Sequence, residues 1–119
     1  MVRLRDPSRE LAMRVLTEVD FERRLNGFIL RERSGAVPIT MYSFEEVVSF
    51  LNDRHPRLDL KQLEEWIRSV MGDTELAEHI AQAIKKGKND QERTYSIRNL
   101  MEERLNQCKM EGHHEESIV

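Results

Sequence analysis

Residues 21–41 read FERRLNGFILRERSGAVPITM, and the fold turns on how this stretch is parsed. Asn26-Gly27 is a good helix stop and also the strongest two-residue hairpin turn. We read a break there, with residues 28–33 forming either a short further helix or an extended piece. Residues 34–38 (SGAVP) read as a loop, and Pro38 bars a central strand around it. A small two-stranded ribbon within 26–42 is the alternative.

On both sides of this stretch the pattern is helical. Ser43 and Glu46 form an S-x-x-E capping box, Tyr42 and Val47 are placed as its hydrophobic staple, and Phe44, Val47, Val48 and Leu51 recur at helical spacing. His55-Pro56 ends that helix, because proline pushes the preceding residue out of the helical region. Asp59 and Gln62 repeat the box ahead of Leu63, Ile67, Val70 and Met71, with Gly72 as the left-handed stop. Asp73 caps a third helix with Glu75 in its first turn and Lys85 and Lys86 in its last, which complements the helix dipole; Gly87 closes it. Asn89 and Glu92 open a fourth, whose Ile97, Leu100, Met101, Leu105 and Cys108 share a face until Gly112 lets it stop. Ahead of the break, Asp6-Pro7 opens a helix in which Leu11, Ala12, Val15, Leu16 and Val19 line one side.

These signals predict an all-α protein, a compact bundle of four to five helices with an irregular or hairpin segment between residues 26 and 42. Residues 1–110 form the single helical domain and 111–119 a flexible C-terminal tail. The three capped helices between Ser43 and Gly87 are expected to pack as antiparallel neighbours, since their connections are short. At 119 residues the chain suits one modest core. Charged residues are 34% of the chain, which favours long solvated helices.

A single cysteine, Cys108, rules out an intrachain disulfide and suits a reducing compartment. The N-terminus turns polar before any apolar run develops, and no stretch approaches membrane-spanning length. The expectation is therefore a cytoplasmic protein with no membrane partner. The net charge of -3 is unevenly spread: +2 over residues 1–33, -5 over 34–79, +3 over 80–110 and -3 over 111–119. Complementary segments of this kind steer head-to-tail contacts within or between molecules.

The candidate chemistries are few. The joint between Met71 and Asp73 has the tight turn of a helix-turn-helix, but Arg68 stands where that motif needs a small residue. Asp73, Glu75 and Glu78 would face phosphate, so an ordinary αα-hairpin is the better reading. Arginine supplies 14 of the 19 basic residues, and Arg3, Arg5, Arg9, Arg14 and Arg24 are candidate phosphate contacts. Interleaved Asp6, Glu10, Glu18, Asp20 and Glu22 read instead as a solvated, ion-paired helix. Cys108, His113, His114, Glu115 and Glu116 are metal-ligand types within nine positions, yet no second cluster completes a closed site, and a polar tail is preferred. His79 beside Glu75 and Glu78 reads as a surface histidine at the edge of an apolar stripe rather than a phosphoryl acceptor or base.

No glycine-rich phosphate loop, no activated nucleophile and no isolated carboxylate pair stands out, and no cofactor is implied. What the stripes leave over is apolar: Trp66, Phe50, Tyr95 and Met110, residue types favoured in interfaces. The expectation is a non-enzymatic, regulatory protein–protein interaction module, self-associating or docking on a protein partner through these residues. Nucleic-acid binding through the arginine-rich N-terminal segment is the alternative.

Overall fold

The structure is a computed structural model that describes residues 4–33 and 35–116, with side chains described through Glu111. In chain order it contains α1 (Arg9–Val15), a single 3-10 turn (Phe21–Arg23), β1 (Leu25–Arg31), β2 (Gly35–Met41), α2 (Phe44–Leu51), β3 (Pro56–Arg57), α3 (Leu60–Ser69), α4 (Thr74–Lys86) and α5 (Asp90–Glu116).

The fold is mixed α/β, not the expected all-α bundle. The three strands form an antiparallel sheet in the order β2-β1-β3. The cause lies at Asn26-Gly27, which neither stops a helix nor makes a turn. Both residues lie inside β1, paired with Thr40 and Ile39. The chain reverses further on, and Gly35 takes the left-handed conformation, φ 69°, where β2 begins. Gly27 is needed for close approach: a Cβ there would lie 2.8 Å from Phe50 Cζ and 3.0 Å from the Arg57 carbonyl oxygen. Pro38 sits on β2, an edge strand, which is where a sheet tolerates proline.

The expected helix starts are present. Ser43 Oγ accepts from Glu46 N at 3.1 Å while Glu46 Oε1 accepts from Tyr42 N at 3.1 Å. Asp59 accepts from Lys61 N and Gln62 N, Asp73 from Leu76 N, and Asn89 from Glu92 N. α1 departs from the expectation: Ser8 rather than Asp6 caps it, accepting from Leu11 N, and the helix runs from Arg9 to Val15, so Leu16, 42% exposed, and Val19 lie beyond it. Gly72 has φ 72° as expected of a left-handed stop. Two further details differ. α2 packs on α5 and against β2, with β3 inserted before α3, so the capped helices are not three successive antiparallel neighbours. And α5 runs on through Gly112 to Glu116, because a glycine inside a helix costs about 1 kcal/mol relative to alanine without having to end it.

α5 is the axis of the molecule, with α1, α2 and α4 packed along it and α3 packed on α4. The sheet contributes Leu25, Ile29 and Met41 to a continuous core with Phe44, Val47 and Phe50 of α2, Leu63 and Ile67 of α3, Leu76 and Ile80 of α4, and Ile97, Met101 and Cys108 of α5. Each such side chain contributes about 1.5–3 kcal/mol by leaving water. No helix among the described residues is long and apolar enough to cross a membrane.

Candidate functional site

A concavity of about 870 Å³ lies between the chain running from the end of α2 through β3 into α3 and the start of α5. Its apolar floor is Leu51, Leu58, Leu60 and Ile84. Its size falls in the range of ordinary ligand sites. The wall beside β3 is built on a strained turn. His55, at φ 52°, occupies the left-handed region, which costs a non-glycine residue roughly 1–2 kcal/mol. Its carbonyl accepts from Leu30 N at 3.4 Å, which ties the turn to β1. Strain of this kind gathers at functional sites.

Four cations, Arg57, Lys61, Arg93 and Arg98, line the groove against three carboxylates. All three of its carboxylates are engaged within the chain. Asp53 Oδ1 accepts from Arg54 N at 2.6 Å, Asp59 caps α3, and Asp90 Oδ1 pairs with an Arg93 terminal nitrogen at 3.1 Å. Arg93 is spent too, since its Nε donates to the Ile84 carbonyl at 2.9 Å. Arg57 and Lys61, by contrast, form no ion pair among the described residues. Arg98 is half-committed. Its Nε is buried without a hydrogen-bond partner, Glu102 Oε1 stands 3.9 Å away, and its guanidinium carbon lies 4.9 Å from the centre of the Tyr95 ring. Tyr95 itself is 58% exposed, one turn before Arg98 on α5. The groove thus offers an aromatic ring, an apolar floor and unspent positive charge.

The other charged cluster on α5 is closed. Arg104 is 1% exposed and all five of its N–H groups have acceptors. Nε donates to Asp73 Oδ2 at 2.7 Å; one terminal nitrogen donates to the Arg5 carbonyl and Gln107 Oε1; the other donates to Asp73 Oδ1 and Glu75 Oε1. Gln107 Nε2 in turn donates to the Leu4 carbonyl, and Leu4 N to Glu103. These bonds clasp the segment before α1 onto α4 and α5. Burial pushes the Glu75 carboxyl upward, but the Arg5 N–H and the Arg104 guanidinium outweigh it, and the net position is below the ordinary value. Burial also pushes the neighbouring Cys108 thiol up to about 11, against the opposing pull of Arg104. Burial of this kind favours the protonated, less reactive form of the thiol.

The structure distributes the sequence-predicted residues widely. Trp66 is 5% exposed, with its indole N–H donating to the Arg23 carbonyl at 2.7 Å, and Phe50 is 4% exposed over Gly27; both are core. Tyr95 lines the groove, whereas Met110 is exposed 15 residues further along α5. Exposed Phe28 stands opposite Arg57 in the sheet, so the apolar outer face of β1 adjoins the groove wall. Among the candidate phosphate contacts, Arg3 lies outside the described residues. Arg5 serves the clasp through its backbone and Arg9 is exposed on α1. Arg14 lies over Gly72, and Arg24 stacks on Phe21 at 3.7 Å. The side chains of His113, His114, Glu115 and Glu116 lie outside the described residues, and among the described residues no group of three ligand side chains is placed to hold a metal.

Sequence reasoning missed Arg98, Arg57, Lys61 and Arg104. Arg104 had a signal. It falls on the Ile97, Met101, Cys108 row at helical spacing, so a charge there had to be buried and paired. Arg57 and Lys61 had none, because they join Arg98 only through the turn at His55.

Family models, curated proteins and solved structures were compared with the chain, and none matches it.

Proposed function

We propose that this protein is a non-enzymatic interaction module whose groove beside β3 binds a protein segment carrying acidic and apolar side chains. The observation that carries the reading is the imbalance at the rim. The carboxylates Asp53, Asp59 and Asp90 accept from the chain's own donors, while Arg57 and Lys61 form no ion pair among the described residues and Arg98 is only half-committed, to Glu102 at 3.9 Å and the exposed Tyr95 ring. An acidic side chain entering there would gain charge-assisted hydrogen bonds, and an apolar neighbour would cover Leu58 and Leu60.

A random-peptide display selection against the immobilised protein tests this. The expected consensus pairs acidic residues with an apolar one, and the selected peptides bind at least tenfold more weakly to Tyr95→Ala and Arg98→Ala proteins that melt like the parent. Peptides that bind those variants as well as the parent, or a selection that enriches nothing, would overturn the proposal.

A further inference from the structure

Building on the groove reading, we infer that the groove receives residues 110–119 of a second copy of this chain, joining molecules head to tail. That stretch, MEGHHEESIV, carries three glutamates and no lysine or arginine, together with the apolar Met110, Ile118 and Val119. It therefore carries the two chemistries that complement the groove's cations and its apolar floor, negative charge and apolar surface. It follows Cys108, the last fully buried side chain described on α5, and its first residue, Met110, is 69% exposed. Two other groups of acidic side chains are already engaged or offset. Those of the first segment alternate with arginines, and Asp73 and Glu75 are held by Arg104.

Helix geometry makes the contact intermolecular. The groove takes Asp90, Tyr95 and Arg98 from the first turns of α5, and Glu111 and Glu116 lie at the far end of the same helix. Twenty-seven residues at about 1.5 Å each span roughly 40 Å, most of the 50 Å long axis of the molecule. A continuous helix cannot fold its end back onto its own beginning, so the groove of one copy and the acidic end of another are the parts that meet. Such a contact uses two different surfaces, and repeated head to tail it yields open chains, or rings where the rotation closes.

Light scattering of the full chain against concentration reads this directly. At low salt the average mass should climb past that of a dimer, and at several hundred millimolar salt it should fall towards the monomer, since these charges are screened. Two variants isolate the halves: Lys61→Glu with Arg98→Glu inverts the groove's charge, and Glu111→Lys with Glu115→Lys and Glu116→Lys inverts the tail's. Each alone should be monomeric, while their equimolar mixture, in which each tail meets a groove of opposite charge, and both sets in one chain should restore association past a dimer. Thermal melts matching the parent show that the variants fold. A full chain that stays monomeric at low salt, or variants that each associate as the parent does, overturns the inference. If the display-selected peptides still bind the groove of that monomer, the groove reading survives; if they do not, both fall.

Discussion

Arg98 and Arg104 lie six residues apart on the same helix, and the molecule treats them in opposite ways. Arg104 is 1% exposed with every donor engaged, whereas the Arg98 side chain is 28% exposed, its Nε buried and unpartnered. Around Arg104 the acids come from α4 and the carbonyls from the segment before α1, so the charge ties three parts of the chain together. Around Arg98 the neighbouring Glu102 stands 3.9 Å from Nε, too far for a hydrogen bond, and its Oε1 accepts instead from the Asn52 amide at 2.9 Å. The lesson is that a buried charge with all its partners holds the fold, while a partly covered charge left short of partners is available to something else.

The sharpest way to break this contrast is to truncate the closed arginine. Arg104→Ala would strand the Asp73 carboxylate, 1% exposed, in the core, and loss of one partner from a buried pair costs roughly 3–5 kcal/mol. Chemical denaturation should show that loss; a change under about 1 kcal/mol would mean the clasp contributes little to the fold. Gly27→Ala should rank next, at about 1–3 kcal/mol, because the new methyl meets the Phe50 ring and the Arg57 carbonyl. The same titration checks it. Tyr95→Ala and Arg98→Ala should change stability by about 0.5 kcal/mol or less while abolishing peptide capture. A groove variant that unfolds as readily as Arg104→Ala would erase the distinction between the two sites.

The pH response sharpens the clasp side. The folded Glu75 carboxyl sits below its unfolded value, so its stabilising contribution is fully present above the ordinary glutamate range. It is lost as pH falls through the lowered folded value. A Glu75→Gln protein should be less stable than the parent at neutral pH, with the gap narrowing in acid; a gap that stays constant to low pH would show that the carboxylate's charge plays no part. The smallest effect concerns Cys108. With its thiol at about 11 and no exposure, it should react with a thiol reagent at neutral pH at the rate of unfolding rather than that of a free thiol.

Much of the helical part was legible because its signals are local. Caps at Ser43, Asp59, Asp73 and Asn89 each need only three or four consecutive residues, and all four are made. The sheet was misread because its decisive contacts are distant in sequence. Asn26-Gly27 looks like a stop or a turn, and what makes it a strand is pairing with Thr40 and Ile39 and the Phe50 ring lying over Gly27. The apolar run Phe28-Ile29-Leu30 is equally ambiguous until its partners are known. Of the interface residues read from surplus aromatics, only Tyr95 reaches the groove. The ribbon held as the alternative within 26–42 is the β1–β2 hairpin, and Trp66 and Phe50 are consumed by the core it helps to build. The basic rim could not be read at all, since Arg57, Lys61 and Arg98 converge only after β3 forms.

Backbone amide chemical-shift mapping with a display-selected acidic peptide tests the central contrast most directly. The account predicts that saturating peptide shifts amides in residues 53–61 and 90–98 and leaves those around Asp73, Arg104 and α1 unchanged. Shifts centred on the Arg104 clasp, with residues 53–61 and 90–98 silent, would contradict it.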